Sequence, residues 1–150
     1  MDGGKVCGGD VRNSSIGQGD TVITPLKLLQ MYAAIADNGR IRQPIIGKAV
    51  VTSSGKVVAR FHSTILGKVP ATLTTLKFLQ GALREVVTGG TAAATFAGFP
   101  VSISGKTGTA EVFGLNADGS KKDNTSWFVS YGPSEKPRYA VVMMVSQGGF

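Results

Sequence analysis

Apolar residues recur at helical spacing in two segments of the chain. The first begins at Thr24, a residue type that caps helices, and Pro25 follows it at the first helical position. Gly39 ends this segment, because glycine readily adopts the backbone conformation that closes a helix. The second segment runs from about residue 72 to 88, and two glycines close it. The sequence therefore predicts two amphipathic helices, whose periodic positions are Leu28, Leu29, Tyr32, Ile35 and Ala36, and Leu76, Leu79, Leu83, Val86 and Val87.

Short β-rich runs occupy much of the remaining chain. Residues 45–61 (IIGKAVVTSSGKVVARF) hold two β-branched runs around a Ser-Ser-Gly turn, which predicts a hairpin. Three further runs, 101–112, 126–131 and 139–146, are separated by short turn-rich segments that favour an antiparallel meander. The last two runs lack clean alternation, so we expect helices to cover both faces of their sheet. The predicted fold class is therefore α+β, an antiparallel sheet packed with helices.

These patterns divide a single domain, residues 1–150, into three parts. Residues 1–20 are rich in glycine and have almost no periodicity, which predicts a loop-like lead-in. Residues 24–88 form a predicted helix–hairpin–helix unit, and residues 101–146 hold the three antiparallel strands. With 42% hydrophobic residues and a mean hydropathy of +0.12, the chain has enough apolar material for a core, so disorder is not expected.

Composition narrows the possible chemistry. The formal net charge is +7 at pH 7, but the basic residues are scattered and do not form the clustered stripe typical of nucleic-acid binding. We therefore expect no nucleic acid as a partner, whereas an anionic small substrate or polymer would suit the charge. Cys7 and His62 are the single cysteine and histidine, so an internal disulfide and a two-histidine metal site are both excluded. We expect no metal and no cofactor, and we interpret His62 as a surface or packing residue.

The segment SGKTGTAEV, residues 104–112, places glycines and a lysine in a predicted strand, where glycine is normally unfavourable. Alternation along a strand puts Lys106 and Gly108 on one face and Thr107 and Thr109 on the other. Such an edge can pair with an extended peptide, receive its carboxylate on the hydroxyls and add the charge of the lysine. The residues alone leave an alternative open, a strand end with a solvated lysine and β-favouring threonines.

A second glycine-containing motif is interpreted as structural. The Gly-Gln-Gly run at residues 17–19 precedes a predicted helix, as a phosphate-binding loop does. It lacks both the full spacing of a dinucleotide-binding loop and the Gly-Lys-Ser/Thr ending of a nucleotide-binding loop. Phosphate binding is therefore not expected here.

Three linked stretches resemble the C-terminal half of the transpeptidase domain of class B penicillin-binding proteins. They are SIGQGDTVITPLKLLQMYAAIADNG, GTAAATFAGFPVSISGKTGTAEV and SWFVSYGPSEKPRYAVVMMVSQGG, and they follow one another in the family's order across residues 14–149. The segments KTGTAEV and SWFVSYGP are most similar to those of the elongation-type penicillin-binding protein 2 and actinobacterial penicillin-binding protein A branches. The resemblance implies a partial penicillin-binding protein/β-lactamase-like transpeptidase fold.

The resemblance also implies a function and site residues. Family members are serine D,D-transpeptidases of cell-wall synthesis, which attack the D-Ala-D-Ala end of a peptidoglycan stem peptide and are acylated by β-lactams. The implied catalytic residues are Lys106, which supplies positive charge, and Thr109, whose backbone N–H is one of two oxyanion-hole donors. The implied substrate-binding residues are Lys106, Thr107, Gly108 and Thr109.

The chain departs from the family in two of its three motifs. The family's set is S-x-x-K, S-x-N and K-T-G, and no S-x-N occurs in this chain. Its one S-x-x-K has Ser53 as the serine and lies in the predicted hairpin turn, whereas the nucleophile requires the start of a buried helix. We therefore expect a fragment of a longer parent protein, with one wall of the active site, no nucleophile and no activity alone.

Further expectations concern the setting of the parent protein. The resemblance implies a parent protein anchored in the cytoplasmic membrane, with this domain on the extracytoplasmic side. It also implies a membrane glycosyltransferase as the parent's partner. The fragment itself is expected to be soluble. Without its neighbours, the strand at 139–146 would present an unpaired edge and an apolar face. This predicts a homo-oligomer, or an N-terminal segment folded over that face. Two other functions remain as alternatives, a β-lactam sensor domain and a non-catalytic penicillin-binding-like module that binds partner proteins.

Overall fold

The computed structural model describes residues 8–19 and 22–149. Residues 1–7, including Cys7, lie outside the described residues. None of the described helices is both long enough and apolar enough to cross a bilayer. The elements in chain order are α1 (Gly8–Ser15), α2 (Pro25–Ala36), β1 (Arg40–Arg42), β2 (Ala49–Val51), β3 (Val57–Arg60), β4 (Ile65–Lys68), α3 (Leu73–Thr88), α4 (Ala93–Phe96), β5 (Ser104–Ala110), β6 (Thr125–Gly132) and β7 (Tyr139–Val145).

Helix α1 corrects the prediction for the lead-in. A loop-like conformation was expected over residues 1–20, but Gly8–Ser15 is helical. None of the residues of α1 is buried, so this helix has no apolar face and lacks the periodicity by which the other helices are recognised. The chain leaves the helix through Gly17 and Gly19, whose φ angles of +76° and +81° are accessible to glycine at little cost.

Both predicted helices begin at their threonine caps. The Thr24 hydroxyl accepts the N–H of Lys27 at 3.2 Å, and the Thr72 hydroxyl accepts the N–H of Thr75 at 3.1 Å. Each bond satisfies a backbone donor that has no partner within its own helix. The predicted starts of α2 and α3 are therefore confirmed.

Gly39 follows α2 and allows α2 and α3 to approach each other. Its φ of +87° is in the left-handed region, and its N–H bonds to the carbonyl of Ala34 at 2.7 Å. A Cβ atom at this position would lie 3.0 Å from Cδ1 of Leu76, so a larger residue would also press on the Leu76 side chain. Leu76 belongs to the buried core, whose apolar members among the described residues are Ala34, Leu76, Val87, Ala92, Val129 and Tyr131.

Strands β5, β6 and β7 form an antiparallel sheet with β6 in the centre. Lys106 of β5 lies opposite Val129 of β6, which lies opposite Val142 of β7. Helix α2 packs against β6 and β7, and α3 lies along β5. The antiparallel meander and the α+β class predicted from the sequence are both confirmed.

The prediction that both faces of the sheet are covered is wrong for β7. Ala140 and Val142 are half-buried, whereas the alternate residues Val141, Met143 and Val145 are 53%, 59% and 48% exposed. Helix α2 therefore covers one face of β7 as far as Val142, although Met144 on that face is 48% exposed, and the described part of the chain leaves the other face open. An apolar run without alternation indicated two covered faces, but it does not show where a cover comes from. The apolar face that the family resemblance predicts for residues 139–146 is confirmed among the described residues.

Two small sheets connect α2 to α3. The predicted hairpin is present as β2 and β3, and its turn includes Gly55 with a φ of +83°. The sequence reading missed the other sheet, in which β1 pairs with β4. The β2–β3 hairpin separates β1 from β4 in the chain, so no turn between two adjacent β-rich runs marks their pairing.

We expect the isolated chain to self-associate through β7. This strand pairs only with β6 among the described residues, so its outer edge and its open face can both recruit a second chain. The molar mass from size-exclusion chromatography with light scattering should exceed that of the 15.5 kDa monomer.

Charge on the open face of β7 should reverse this association. The double variant Val141→Lys/Met143→Lys should be monomeric, since both side chains lie on the open face. Ile46→Lys is the control, because Ile46 is likewise an exposed apolar residue but lies outside this sheet. A monomeric unmodified chain whose residues 139–146 exchange hydrogen freely would contradict the prediction.

Candidate active-site edge on strand β5

The K-T-G residues lie on β5, at one side of the three-stranded sheet. Lys106 and Gly108 lie opposite Val129 and Trp127 of β6, whereas Thr107 lies opposite Phe128 on the other face. The alternation of these residues between the two faces is as predicted from the strand period. The side of β5 that does not pair with β6 is called the β5 edge below.

Side chains donate hydrogen bonds to two backbone carbonyls along the β5 edge, and such a carbonyl is called occupied below. The carbonyl oxygen of Thr109 accepts a hydrogen bond from Nε2 of Gln18 at 3.0 Å, and that of Thr107 accepts one from Nζ of Lys106 at 2.9 Å. In an extended strand, the N–H and C=O of one residue point to the same side. The N–H groups of Thr107 and Thr109 therefore also point away from β6, where an extended ligand can reach them.

Lys106 and Thr107 form a small cluster of donors at this edge. The lysine side chain curls along its own strand, so that Nζ lies 3.4 Å from the Thr107 hydroxyl although the two residues begin on opposite faces. The Thr107 hydroxyl is also 2.8 Å from the hydroxyl of Thr91, in the segment that follows α3. An ammonium group beside two hydroxyls can bind a carboxylate by charge-assisted hydrogen bonds.

A cleft of about 570 Å³ lies beside the β5 edge. One side is formed by the K-T-G residues and the neighbouring strand β6, and the other by α2 and the residues around the Gly-Gln-Gly run. The cleft combines the polar groups of β5 with a largely apolar remainder, a composition typical of ligand sites. Its apolar lining includes Ile16, Val22, Leu28, Met31, Tyr32 and Trp127.

Buried polar contacts fix the beginning of β5. The hydroxyl of Ser104, which is 1% exposed, donates to that of Ser134 at 2.9 Å. Nη1 of Arg84 on α3 donates to the carbonyl of Ile103 at 2.8 Å. Tyr131 lies opposite Ser104, and its burial raises the pKa of the phenol. These contacts hold the strand against α3, so the β5 edge is carried by a rigid element.

Ser53, the serine of the one S-x-x-K, and His62 both lie away from this edge. Ser53 is exposed in the turn between β2 and β3, which belong to a different sheet from β5. His62 is exposed between β3 and β4, in agreement with its interpretation as a surface residue. Ser14 does line the cleft, but the residue three positions later is Gly17 and not lysine. In residues 8–19 and 22–149, no three His, Cys, Asp or Glu side chains are grouped to hold a metal ion.

Sequence reasoning missed two residues at the β5 edge. Gln18 was interpreted only as part of a turn without phosphate binding, and Thr91 was given no role, although both lie in the stretches that carry the family resemblance. Each bonds to β5 across a long separation in sequence, 91 residues for Gln18 and 16 for Thr91. The one local signal for Gln18 was its position between two glycines, which marks a turn but does not identify what its side chain contacts.

Comparison with known proteins identifies the family. Residues 6–149 match the family described as penicillin binding protein transpeptidase domain. Over 149 residues the chain is 36% identical to penicillin-binding protein H of Bacillus subtilis, covering 94% of this chain and 21% of that protein. Over 144 residues it is 34% identical to the peptidoglycan D,D-transpeptidase PbpA of Mycolicibacterium smegmatis, covering 91% of this chain and 26% of that protein.

A solved structure supports the same fold. Penicillin-binding protein A from M. tuberculosis, in an imipenem acyl-enzyme complex, superposes with a TM-score of 0.78 at 22% identity. The superposition covers 92% of this chain and 29% of that one. The part of this chain that superposes includes the antiparallel sheet of β5, β6 and β7, with K-T-G on the outer strand β5 and helices packed beside it. The chain belongs to the penicillin-binding protein transpeptidase family, with class B proteins among its relatives, and it spans about a fifth of the length of penicillin-binding protein H (21%).

Proposed function

We propose that this chain forms the acyl-donor side of a serine D,D-transpeptidase and holds the D-Ala-D-Ala end of a peptidoglycan stem peptide. The observation that carries the proposal is the β5 edge, where Lys106 and the hydroxyl of Thr107 lie beside outward-facing backbone groups. An extended peptide can pair with such an edge through its main chain. β-Lactams would bind in the same place, as acyl-enzyme formation in the related M. tuberculosis protein suggests.

Each residue of K-T-G has a distinct role in this proposal. Lys106 supplies positive charge, and the hydroxyls of Thr107 and Thr109 bind the ligand carboxylate. The absence of a side chain at Gly108 lets the ligand backbone approach the strand. The N–H of Thr109, which points to the β5 edge, donates to the oxyanion that develops when the serine attacks, a contribution typically worth about 3 kcal/mol of barrier.

The attacking serine is proposed to come from the rest of a longer parent protein. The chain contains no S-x-N, and its one S-x-x-K lies in an exposed turn. The curated relatives are about four to five times longer than the part matched here, since the match covers 21% and 26% of their lengths. We further propose a parent anchored in the cytoplasmic membrane, with this domain on the outer side and a membrane glycosyltransferase as partner.

We expect no covalent adduct when this 150-residue chain is incubated with penicillin. Ser53 has the required spacing to Lys56, but an exposed turn offers neither the helix N-terminus nor the burial that would activate it. Intact-mass spectrometry after incubation with a fluorescent penicillin provides the measurement. An adduct on Ser53 would contradict the conclusion that Ser53 is not a nucleophile, and an adduct on Ser14 would identify a different nucleophile.

The parent protein provides the positive arm of this experiment. It should gain the mass of one penicillin on a serine outside this chain. A parent that carries the two missing motifs but forms no adduct would overturn the proposed function.

A further inference from the structure

The Gly-Gln-Gly run places one side chain onto the β5 edge. Gly17 and Gly19 both have positive φ angles, so the backbone turns sharply on either side of Gln18. Gln18 is partly buried, whereas both neighbouring glycines are exposed. Its Nε2 donates to the carbonyl of Thr109 at 3.0 Å, which joins two segments 91 residues apart. The turn therefore delivers a carboxamide to one particular backbone acceptor.

That acceptor is the one an incoming strand would use. A side-chain carboxamide N–H and a peptide N–H are equivalent donors to a carbonyl. A peptide that adds to the β5 edge pairs its own N–H groups with outward carbonyls of the strand. The Gln18 contact therefore reproduces, within the chain, a hydrogen bond that an acyl donor would make.

We propose that Gln18 is a specificity-determining residue, which occupies the Thr109 carbonyl until the amide N–H of an acyl donor replaces it. The inference rests on the proposed function, since it assumes that ligands bind along the β5 edge. A ligand with an amide N–H recovers on binding the hydrogen bond that it breaks. A ligand without one gains nothing by displacing Gln18, and leaves it in place. Gln18 bonds to the carbonyl of Thr109 and not to its N–H, so the proposed oxyanion donor is not affected.

The occupied carbonyl belongs to a wider arrangement along the same side of the sheet. Lys106 occupies the carbonyl of Thr107, and Arg84 occupies that of Ile103 just before the strand begins. Charged side chains at an exposed strand edge are one way in which a protein prevents unwanted pairing, and Lys106 and Arg84 are of this kind. Gln18 differs from Arg84 because it is attached through a glycine turn, which allows it to move away without disturbing a helix.

Two β-lactams can show whether a ligand displaces Gln18 or whether Gln18 only supports strand β5. Penicillin G carries an acylamino group, whose amide N–H resembles that of a peptide, whereas imipenem carries a hydroxyethyl group at the corresponding position. In the parent protein, Gln18→Ala should be acylated by penicillin G about fivefold faster at low drug concentration, the size of one ordinary hydrogen bond. The limiting rate at high concentration should not change, and imipenem should react with the variant and the unmodified protein at equal rates.

Three further variants control for folding and chemistry. Gln18→Asn keeps the carboxamide but shortens its reach, so it should behave like Gln18→Ala. Gln30→Ala removes a chemically identical contact elsewhere, since Nε2 of Gln30 donates to the carbonyl of Arg42 at 2.7 Å, and it should leave both drugs unaffected. Thr24→Ala removes the cap of α2 and reports how a general loss of stability affects both drugs.

Each outcome has a distinct meaning. Faster reaction of both Gln18 variants with penicillin G alone supports the proposal. Slower reaction with both drugs would show that Gln18 only supports the strand, and unchanged rates would show that it does not compete; either result overturns the inference and leaves the proposed function intact. If the unmodified parent reacts with neither drug, the proposed function fails and the inference fails with it.

Discussion

Replacing Lys106 by alanine should slow β-lactam acylation of the parent protein by about tenfold or more without unfolding it. The lysine side chain is exposed, so its removal takes no packing from the core. Its Nζ bonds to the carbonyl and the hydroxyl of Thr107, where the ligand carboxylate is expected. Charge at this position stabilises both the bound carboxylate and the charge that develops during attack. Stopped-flow acylation with a chromogenic cephalosporin gives the second-order rate.

Two threonine variants test the division of roles within K-T-G. Thr107→Ala should slow acylation about as much as Lys106→Ala, because it removes a hydroxyl from the donor cluster. Thr109→Ala should slow it less, since the backbone N–H that is proposed as the oxyanion donor remains. Lys56→Ala, an exposed lysine in the β2–β3 hairpin, is the matched control for loss of positive charge. If the Lys106→Ala protein reacts at the unmodified rate, β5 is only a scaffold and the site assignment is wrong.

Gly105→Ala should destabilise the chain by about 2 kcal/mol, the usual size of an overpacking effect. A Cβ atom at Gly105 would lie 2.7 Å from the carbonyl oxygen of Val129 and 2.9 Å from Cζ of Phe128. The first contact is with backbone in the centre of the sheet, so it cannot be relieved by rotating a side chain. Thermal denaturation followed by circular dichroism should show a midpoint lowered by about 5 °C or more.

Gly108→Ala is the matched comparison on the same strand. Its Cβ would meet only Cβ of Trp127, at an ordinary distance of 3.5 Å, so the melting temperature should stay within about 2 °C of the unmodified chain. The new methyl group would instead lie beside the cleft and slow acylation of the parent about tenfold by misplacing the ligand. Equal melting temperatures for the two variants would contradict the view that only Gly105 is required for packing.

These two glycines show how one local pattern can have two causes. The sequence indicated that a strand with glycines serves more than sheet formation, and the family resemblance placed Gly108 among the substrate-binding residues. The structure assigns Gly105 to close packing against β6, and leaves Gly108 beside the cleft. Both are glycines in the same strand, so only the atoms across from them distinguish the two reasons.

The sequence by itself determined the features that depend on local chemistry. Threonine caps located the starts of α2 and α3, since a cap acts on the N–H only three residues ahead. The period of two along a strand distributed Lys106 and Thr107 between faces, and turn-rich connections implied an antiparallel meander. The sequence motifs and their order along the chain were sufficient to identify the family, which the comparisons confirm.

Only the tertiary structure decided which distant segments meet at the β5 edge. Gln18 and Thr91 reach β5 because the glycine turn and α3 are docked against the sheet, and no periodicity records such a contact. Helix α1 was missed because it buries none of its residues, and hydrophobic spacing is the signal by which a helix is read. The open face of β7 followed from the family resemblance and not from the apolar pattern: an apolar run shows that a strand is suited to burial, whereas what covers it depends on where the other elements pack.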